Sequence, residues 1–148
     1  MCYNEHMKTC TTFKEKLKNF FFQRKLDWYG LQFPLYCKAH GVKRAERQGA
    51  IAQSRTGDKL QIVHVPKKDF PFNVYVYSIS LNRVLGYLDN TLSKKLVRVF
   101  GKKFCRDAVV ENITGGAPMY EFMGCNLQIL STMEFMNEWE DFSLLREE

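Results

Sequence analysis

The sequence predicts a mainly β, α+β protein: a small OB-like β-barrel of about six strands with short helices at its periphery. Runs rich in β-branched and aromatic residues recur between turn signals, as in hairpin-connected sheets. Strands do not alternate regularly with helices, as a doubly wound fold requires. A chain of 148 residues is long enough to bury one core. We therefore expect a helical N-terminal extension at 1–30, the barrel at 31–132 and an acidic C-terminal helix or tail at 133–148.

The first predicted element is a helix at 12–28. Its apolar residues follow the helical period, and Thr12 with Glu15 forms a capping box at its start. Gly30 and Pro34 end it. A strand at 31–40 and a short helix or turn at 43–54 come next. Three further strands follow at 59–65, 73–79 and 83–88.

The second half begins with a short helix at 91–100. Asp89 or Asn90 caps it, Leu92 and Leu96 point inward, and Gly101 stops it. A strand at 107–113, a Gly-Gly turn at 115–116 and a long strand at 118–130 complete the predicted sheet.

Charge is distributed unevenly along the chain. The formal net charge is +6, but residues 133–148 carry six acidic side chains and one arginine, a net charge of −5. Residues 1–132 therefore carry +11. This positive charge on residues 1–132 indicates a polyanionic partner, most often a nucleic acid. The alternative is a solvent-exposed surface whose charge serves solubility.

The cysteines give no disulfide framework, because their number is odd and their spacing irregular: Cys2, Cys10, Cys37, Cys105 and Cys125. We expect free thiols and neither metal nor cofactor. One alternative stays open. Cys2, His6 and Cys10 would share a helical face and could ligate zinc, and Cys37 with His40 forms a second pair.

The sequence favours a cytoplasmic protein with no membrane partner. No apolar run approaches the roughly 20 residues of a membrane span, and the first residues lack the apolar segment of a secretory signal. Catalytic motifs such as GxSxG, HExxH and a Walker loop are absent from the sequence. We expect a protein without enzymatic activity.

The most informative stretch is "GDKLQIVHVPKKDFPFNVYVY", residues 57–77. Between two predicted strands it places Lys67 and Lys68 beside Phe70 and Phe72. Lysines can pair with phosphates, and aromatic rings can stack on unpaired bases. The alternative is that both phenylalanines fold inward and plug the barrel end. In the second strand, alternation puts Val74 and Val76 on one face and Tyr75 and Tyr77 on the other.

Residues 41–105 resemble the HIRAN domain. The counterparts of its motifs, in order, are Arg47-Gln48, Gly57-Asp58-Lys59-Leu60, Pro66 to Tyr77, Leu85-Gly86-Tyr87-Leu88 and Leu92 to Phe100. HIRAN domains occur alone in bacteria and fused to remodelling helicases in eukaryotes. The resemblance implies an OB-like barrel that binds single-stranded DNA, with a preference for 3′ ends. Phe72 stands where the family has a tyrosine, and no acid clearly matches the family's acceptor of a terminal hydroxyl. We therefore expect stacking without sensing of that hydroxyl.

These observations predict a non-catalytic module that binds single-stranded DNA or DNA ends in a basic and aromatic groove. Arg47, Lys67 and Lys68 would contact phosphates, while Phe72, Tyr75 and Tyr87 would stack or line the groove. Phe70 and Asn73, which matches a family asparagine, complete the predicted site. The alternative is a protein-interaction or inhibitor module of a bacterial or mobile-element defence system, with the acidic tail docking on a basic partner.

Overall fold

The computed structural model describes residues 13–101 and 104–130, which form three helices and six strands. The helices are α1 Phe13–Tyr29, α2 Ala45–Gln53 and α3 Asn90–Phe100. The strands are β1 Leu35–Lys38, β2 Lys59–His64, β3 Val74–Ser78, β4 Arg83–Tyr87, β5 Cys105–Gly115 and β6 Met123–Ile129. The chain divides between Gln32 and Phe33 into two compact units, one holding α1 and the other the sheet. None of the helices in these residues is long and apolar enough to cross a membrane.

The helical unit exposes much of its apolar surface. α1 ends at Gly30, which has a φ of +68° and donates its N–H to the Asp27 carbonyl. Phe22 and Leu26 are buried. Five large apolar side chains are exposed instead: Phe13, Leu17, Phe20, Phe21 and Trp28.

The six strands form one antiparallel sheet in the order β1-β6-β5-β2-β3-β4, curled into a half-barrel. Its two edges meet at a single bridge, where His40, just past β1, exchanges backbone hydrogen bonds with Tyr87 of β4 at 2.7 and 3.0 Å. Gly86 lies beside this bridge, where a Cβ would overlap the His40 carbonyl. This architecture confirms the predicted β-rich, OB-like fold.

The core follows the strand alternation. Ile62, Val74 and Val76 are fully buried on adjacent strands, and β6 contributes Leu127 and Ile129. Burying aliphatic side chains of this size contributes about 1.5–3 kcal/mol each to folding.

Two helices, α2 and α3, belong to the same unit as the sheet. α2 contacts β4 and β6 and buries Ala50 and Ile51. α3 begins at Asp89, whose carboxylate accepts the Thr91 N–H at 3.1 Å, and ends at Gly101. The predicted cap and stop of α3 are therefore correct.

The predicted strand at 118–130 was wrong in its first part, because β6 begins only at Met123. Gly115 and Gly116 have positive φ, as a turn requires, and the chain stays in that turn through Phe122. The Phe122 carbonyl accepts the Gly116 N–H, and the Gly116 carbonyl accepts the Tyr120 N–H. The predicted tail 133–148 and Thr12 lie outside the described residues.

Candidate nucleic-acid interface

The loop between β2 and β3, residues 65–73, is closed by its own hydrogen bonds. The Lys67 N–H donates to the Phe70 carbonyl at 3.0 Å, and the Phe70 N–H returns a bond at 3.1 Å. At the base, the Val65 N–H donates to the Asn73 carbonyl, and the Asn73 side-chain amide donates to the Val65 carbonyl at 3.2 Å. The structure therefore places Asn73, a predicted nucleic-acid contact, as the residue that holds the loop shut.

His64 supports the same loop from the core. Its Nε2 lies 3.0 Å from the Pro71 carbonyl oxygen, and its buried ring stacks on Phe104 with centroids 5.8 Å apart. Because a carbonyl oxygen only accepts hydrogen bonds, Nε2 carries the proton in this contact. His64 is thus a buried, hydrogen-bonded strand histidine.

The loop presents both charge and rings to solvent. Lys67 and Lys68 are exposed, and 65% of Phe70 is exposed. Phe72 is half-buried, and the Lys94 ammonium of α3 lies 5.6 Å from its ring centroid. Of the two arrangements predicted for these rings, Phe70 takes the outward one, and Phe72 lies at the surface beneath a lysine.

Tyr75 does not offer the stacking face predicted for it. Its side chain is only 1% exposed, and the Lys67 ammonium lies 5.0 Å from its ring centroid. Its hydroxyl is buried without a hydrogen-bond partner among the described residues. By the alternation of β3, Tyr75 lies on the face opposite to Val74 and Val76, and all three side chains are buried.

Arg47 and Tyr87 form a further cation–ring pair beside the barrel closure. The Arg47 guanidinium lies 5.5 Å from the Tyr87 ring centroid and donates to the Gly41 carbonyl, while 39% of Tyr87 stays exposed. Gly41 has a φ of +65°, and a side chain there would overlap the Tyr87 ring. Arg47 itself is only 5% exposed, so it supplies positive charge from within the wall.

The Lys67–Tyr75 and Arg47–Tyr87 pairs lie side by side on neighbouring strands. Tyr75 and Tyr87 are directly opposite partners on β3 and β4, and such partners have Cβ atoms about 4.5–5.5 Å apart on the same face. Lys67, Tyr75, Tyr87 and Arg47 therefore form a row of two neighbouring rings with a cation at each end. We call this row, with Lys68 and Phe70 at its loop end, the cation–ring strip.

The strip ends in a pocket of about 710 Å³ where the end of β1, the loop 41–44, Tyr87 and the start of β6 meet. Its cationic lining residues are Lys38, Lys43, Arg44 and Arg47. Gln48 fixes the shape of this pocket. Its amide donates to the Val42 and Met123 carbonyls at 2.7 and 2.9 Å and accepts the Met123 N–H at 2.9 Å, so it ties the loop to β6.

The sequence interpretation missed Lys38, Lys43, Arg44 and Lys94 as site residues. The adjacent Lys43 and Arg44, two residues after Gly41, were a usable signal, because charged side chains close to a turn are usually exposed. Lys38 and Lys94 reach the site only through the closure of the sheet and the docking of α3. No local sequence pattern marks them.

Cys37 and Cys125 are free thiols in adjacent strands. Burial raises the pKa of Cys37 to about 12, with Cys125 adding to the effect, and burial raises the pKa of Cys125 to about 11. Both thiols stay protonated at neutral pH, which is the opposite of nucleophile activation. Within 13–101 and 104–130, no three His, Cys, Asp or Glu side chains are grouped to hold a metal ion. Cys2, His6 and Cys10 lie outside these ranges.

Comparisons with known proteins give no relative: no protein family, no curated protein and no solved structure matches this chain.

Proposed function

We propose that the protein is a non-catalytic module of the cytoplasm that binds single-stranded DNA or DNA ends along the cation–ring strip. The observation that carries the proposal is the strip itself, which runs from the exposed Lys67, Lys68 and Phe70 to Tyr87 and Arg47. Lysines along such a groove neutralise phosphates, and exposed rings stack on bases.

The rings favour single strands over duplex. Bases within a duplex are already stacked on their neighbours, so only unpaired bases and chain ends can stack on Phe70 or Tyr87. Each such stack contributes about 1–3 kcal/mol and accepts any base, because every base has a π-face. We therefore expect weak sequence preference and strong dependence on salt.

Membership of the HIRAN family is part of this proposal. The Arg47-Gln48 pair, one of the family's motifs, supports this membership. Arg47 lines the pocket, and Gln48 ties the adjoining loop to β6. Phe72 in place of the family's tyrosine leaves a ring for stacking but no hydroxyl. The proposed mode of binding is thus stacking with phosphate contact.

The test is fluorescence anisotropy with single-stranded, duplex and 3′-overhang DNA at two salt concentrations. Lys67→Gln with Lys68→Gln removes two charges while keeping a polar side chain with an aliphatic stem at each position. We expect weaker single-strand binding and a salt slope lower by about one to two units.

The matched control removes two charges from the other end of the same strands. Lys59 begins β2 and Arg83 begins β4, and both are exposed. Lys59→Gln with Arg83→Gln should leave the slope close to that of the parent protein. Equal effects of both double variants would mean that binding follows net charge and not the strip, and binding to no DNA would overturn the proposal.

A second function, docking to another protein, is favoured by α1. Exposed apolar side chains on one helix mark interaction surfaces, and Phe13 and Trp28 are 80% and 84% exposed. An inhibitor or interaction module of a defence system would use such a helix. Salt separates the two functions, because binding dominated by apolar burial does not weaken steeply as salt rises.

A further inference from the structure

The pocket at the end of the cation–ring strip has an unbalanced charge. Lys38, Lys43, Arg44 and Arg47 line it, and none of the described residues that line it is Asp or Glu. An internal phosphodiester brings one negative charge, whereas a phosphate monoester carries about −1.5 to −2 at pH 7. The pocket therefore suits a monoester better than a diester.

Neutral hydrogen-bonding groups accompany these cations. Thr114 and Asn126 also line the pocket. The terminal oxygens of a monoester are strong acceptors. The Thr114 hydroxyl can donate to them, and the Asn126 amide has a second N–H besides the one that donates to the Asn112 side-chain oxygen at 3.0 Å. A free terminal hydroxyl, in contrast, is best bound by a carboxylate acceptor, and the lining offers none.

One carboxylate lies close by without closing the site. Glu46 pairs with Arg44 at 3.9 Å, and the two side chains are 69% and 51% exposed. An exposed pair of this kind contributes little, about 0–1 kcal/mol. A phosphate that binds arginine through two parallel hydrogen bonds can replace it.

The size and walls of the pocket fit the end of a nucleic-acid strand. A volume of about 710 Å³ lies within the range of small-ligand sites, which is about 300–1,000 Å³. The exposed part of the Tyr87 ring forms one wall and can stack on the last base. A terminal nucleotide thus meets a ring and a cluster of cations together.

We propose that this pocket binds the terminal phosphate monoester of a single-stranded nucleic acid, and so selects phosphate ends over hydroxyl ends. The inference rests on the proposed function and deepens it, since it names the end group that the site recognises. The shared chemistry, a terminal monoester, occurs at 3′ and at 5′ ends, and the experiment separates them.

The experiment compares oligonucleotides of one sequence with an internal fluorescent label and 3′-hydroxyl, 3′-phosphate or 5′-phosphate ends. We expect one phosphate-ended form to bind about ten- to a hundredfold more tightly than the hydroxyl-ended form, as hydrogen bonds to charged groups allow. Lys43→Gln with Arg44→Gln should bring that ratio towards one. Lys67→Gln with Lys68→Gln should weaken all forms and preserve the ratio.

Each result decides between the two proposals. Equal binding of all three forms would overturn the end preference and leave the proposed function standing. If no oligonucleotide binds, the proposed function fails, and phosphorus NMR of inorganic phosphate then tests the pocket alone. Line broadening that Lys43→Gln with Arg44→Gln removes would support the phosphate site, and no broadening in the parent protein would overturn it.

Discussion

The burial of Tyr75 is a property that only the folded chain shows. Its period-two alternation places it on the face opposite to Val74 and Val76, and in an antiparallel sheet one of the two faces is commonly solvated. In the folded chain the Lys67 ammonium lies over the ring, 5.0 Å from its centroid, and the side chain is buried. The sequence left open whether Phe70 points outward or folds inward, and the structure shows it exposed in the loop between β2 and β3. The burial of Tyr75 could not be predicted, because the lysine over its ring comes from a loop earlier in the chain.

The buried Tyr75 hydroxyl yields a prediction about stability. It has no hydrogen-bond partner among the described residues, and burying a polar group without one costs about 1–3 kcal/mol. Tyr75→Phe removes that hydroxyl and keeps the ring beneath Lys67. We expect the free energy of unfolding in urea to rise by about 1 kcal/mol or more. A lower stability would contradict this and would show that the hydroxyl has a partner in the native protein.

At the level of elements, Gly86 and Gly49 show that glycine can be required at one position of a strand or helix and replaceable at another. Gly86 lies in β4 beside the bridge that joins the sheet edges, and a Cβ there would overlap the His40 carbonyl. Gly49 lies in α2, where a Cβ would meet nothing within 4 Å. In the sequence, both are glycines inside predicted elements. Only the closure of the sheet shows that Gly86 has no room for a side chain.

Alanine at these two positions should therefore have opposite effects. Gly86→Ala must displace backbone at the barrel closure, and we expect a loss of about 1–3 kcal/mol in the free energy of unfolding. Gly49→Ala relieves the entropic cost of a helical glycine and should add about 0.5–1 kcal/mol. Parallel urea titrations measure both. An unchanged stability in Gly86→Ala would mean that the bridge between His40 and Tyr87 is not needed to hold the sheet closed.

Most strands and helices followed from local pattern, whereas the site depended on which elements meet. The predicted strands at 59–65, 73–79 and 83–88 correspond to β2, β3 and β4, because alternation and turn residues are local signals. The pocket instead joins Lys38, Tyr87 and Asn126, which lie far apart in sequence. Their meeting depends on strand order, and the order β1-β6-β5-β2-β3-β4 has no signature in any single segment.

At the scale of the whole molecule, the distribution of charge is the strongest remaining constraint. Residues 1–132 carry +11, and the last sixteen residues carry −5. Unlike charges on one chain attract, and a tethered segment acts at a high effective concentration. We therefore predict that the tail competes with a polyanion for the basic surface.

We accordingly expect deletion of 133–148 to tighten binding of single-stranded DNA, most strongly at low salt, where charge interactions are least screened. The deletion also removes an apolar series whose loss could affect folding: Phe135, Trp139, Phe142 and Leu145. A second variant separates the two effects by converting the six acids of the tail to their amides while keeping every apolar side chain. If charge is the cause, both variants should bind DNA more tightly, and the difference from the parent protein should shrink as salt rises. If the amide variant binds like the parent protein, the tail does not compete for the basic surface. If the deletion also unfolds the protein, the tail is part of the folded core.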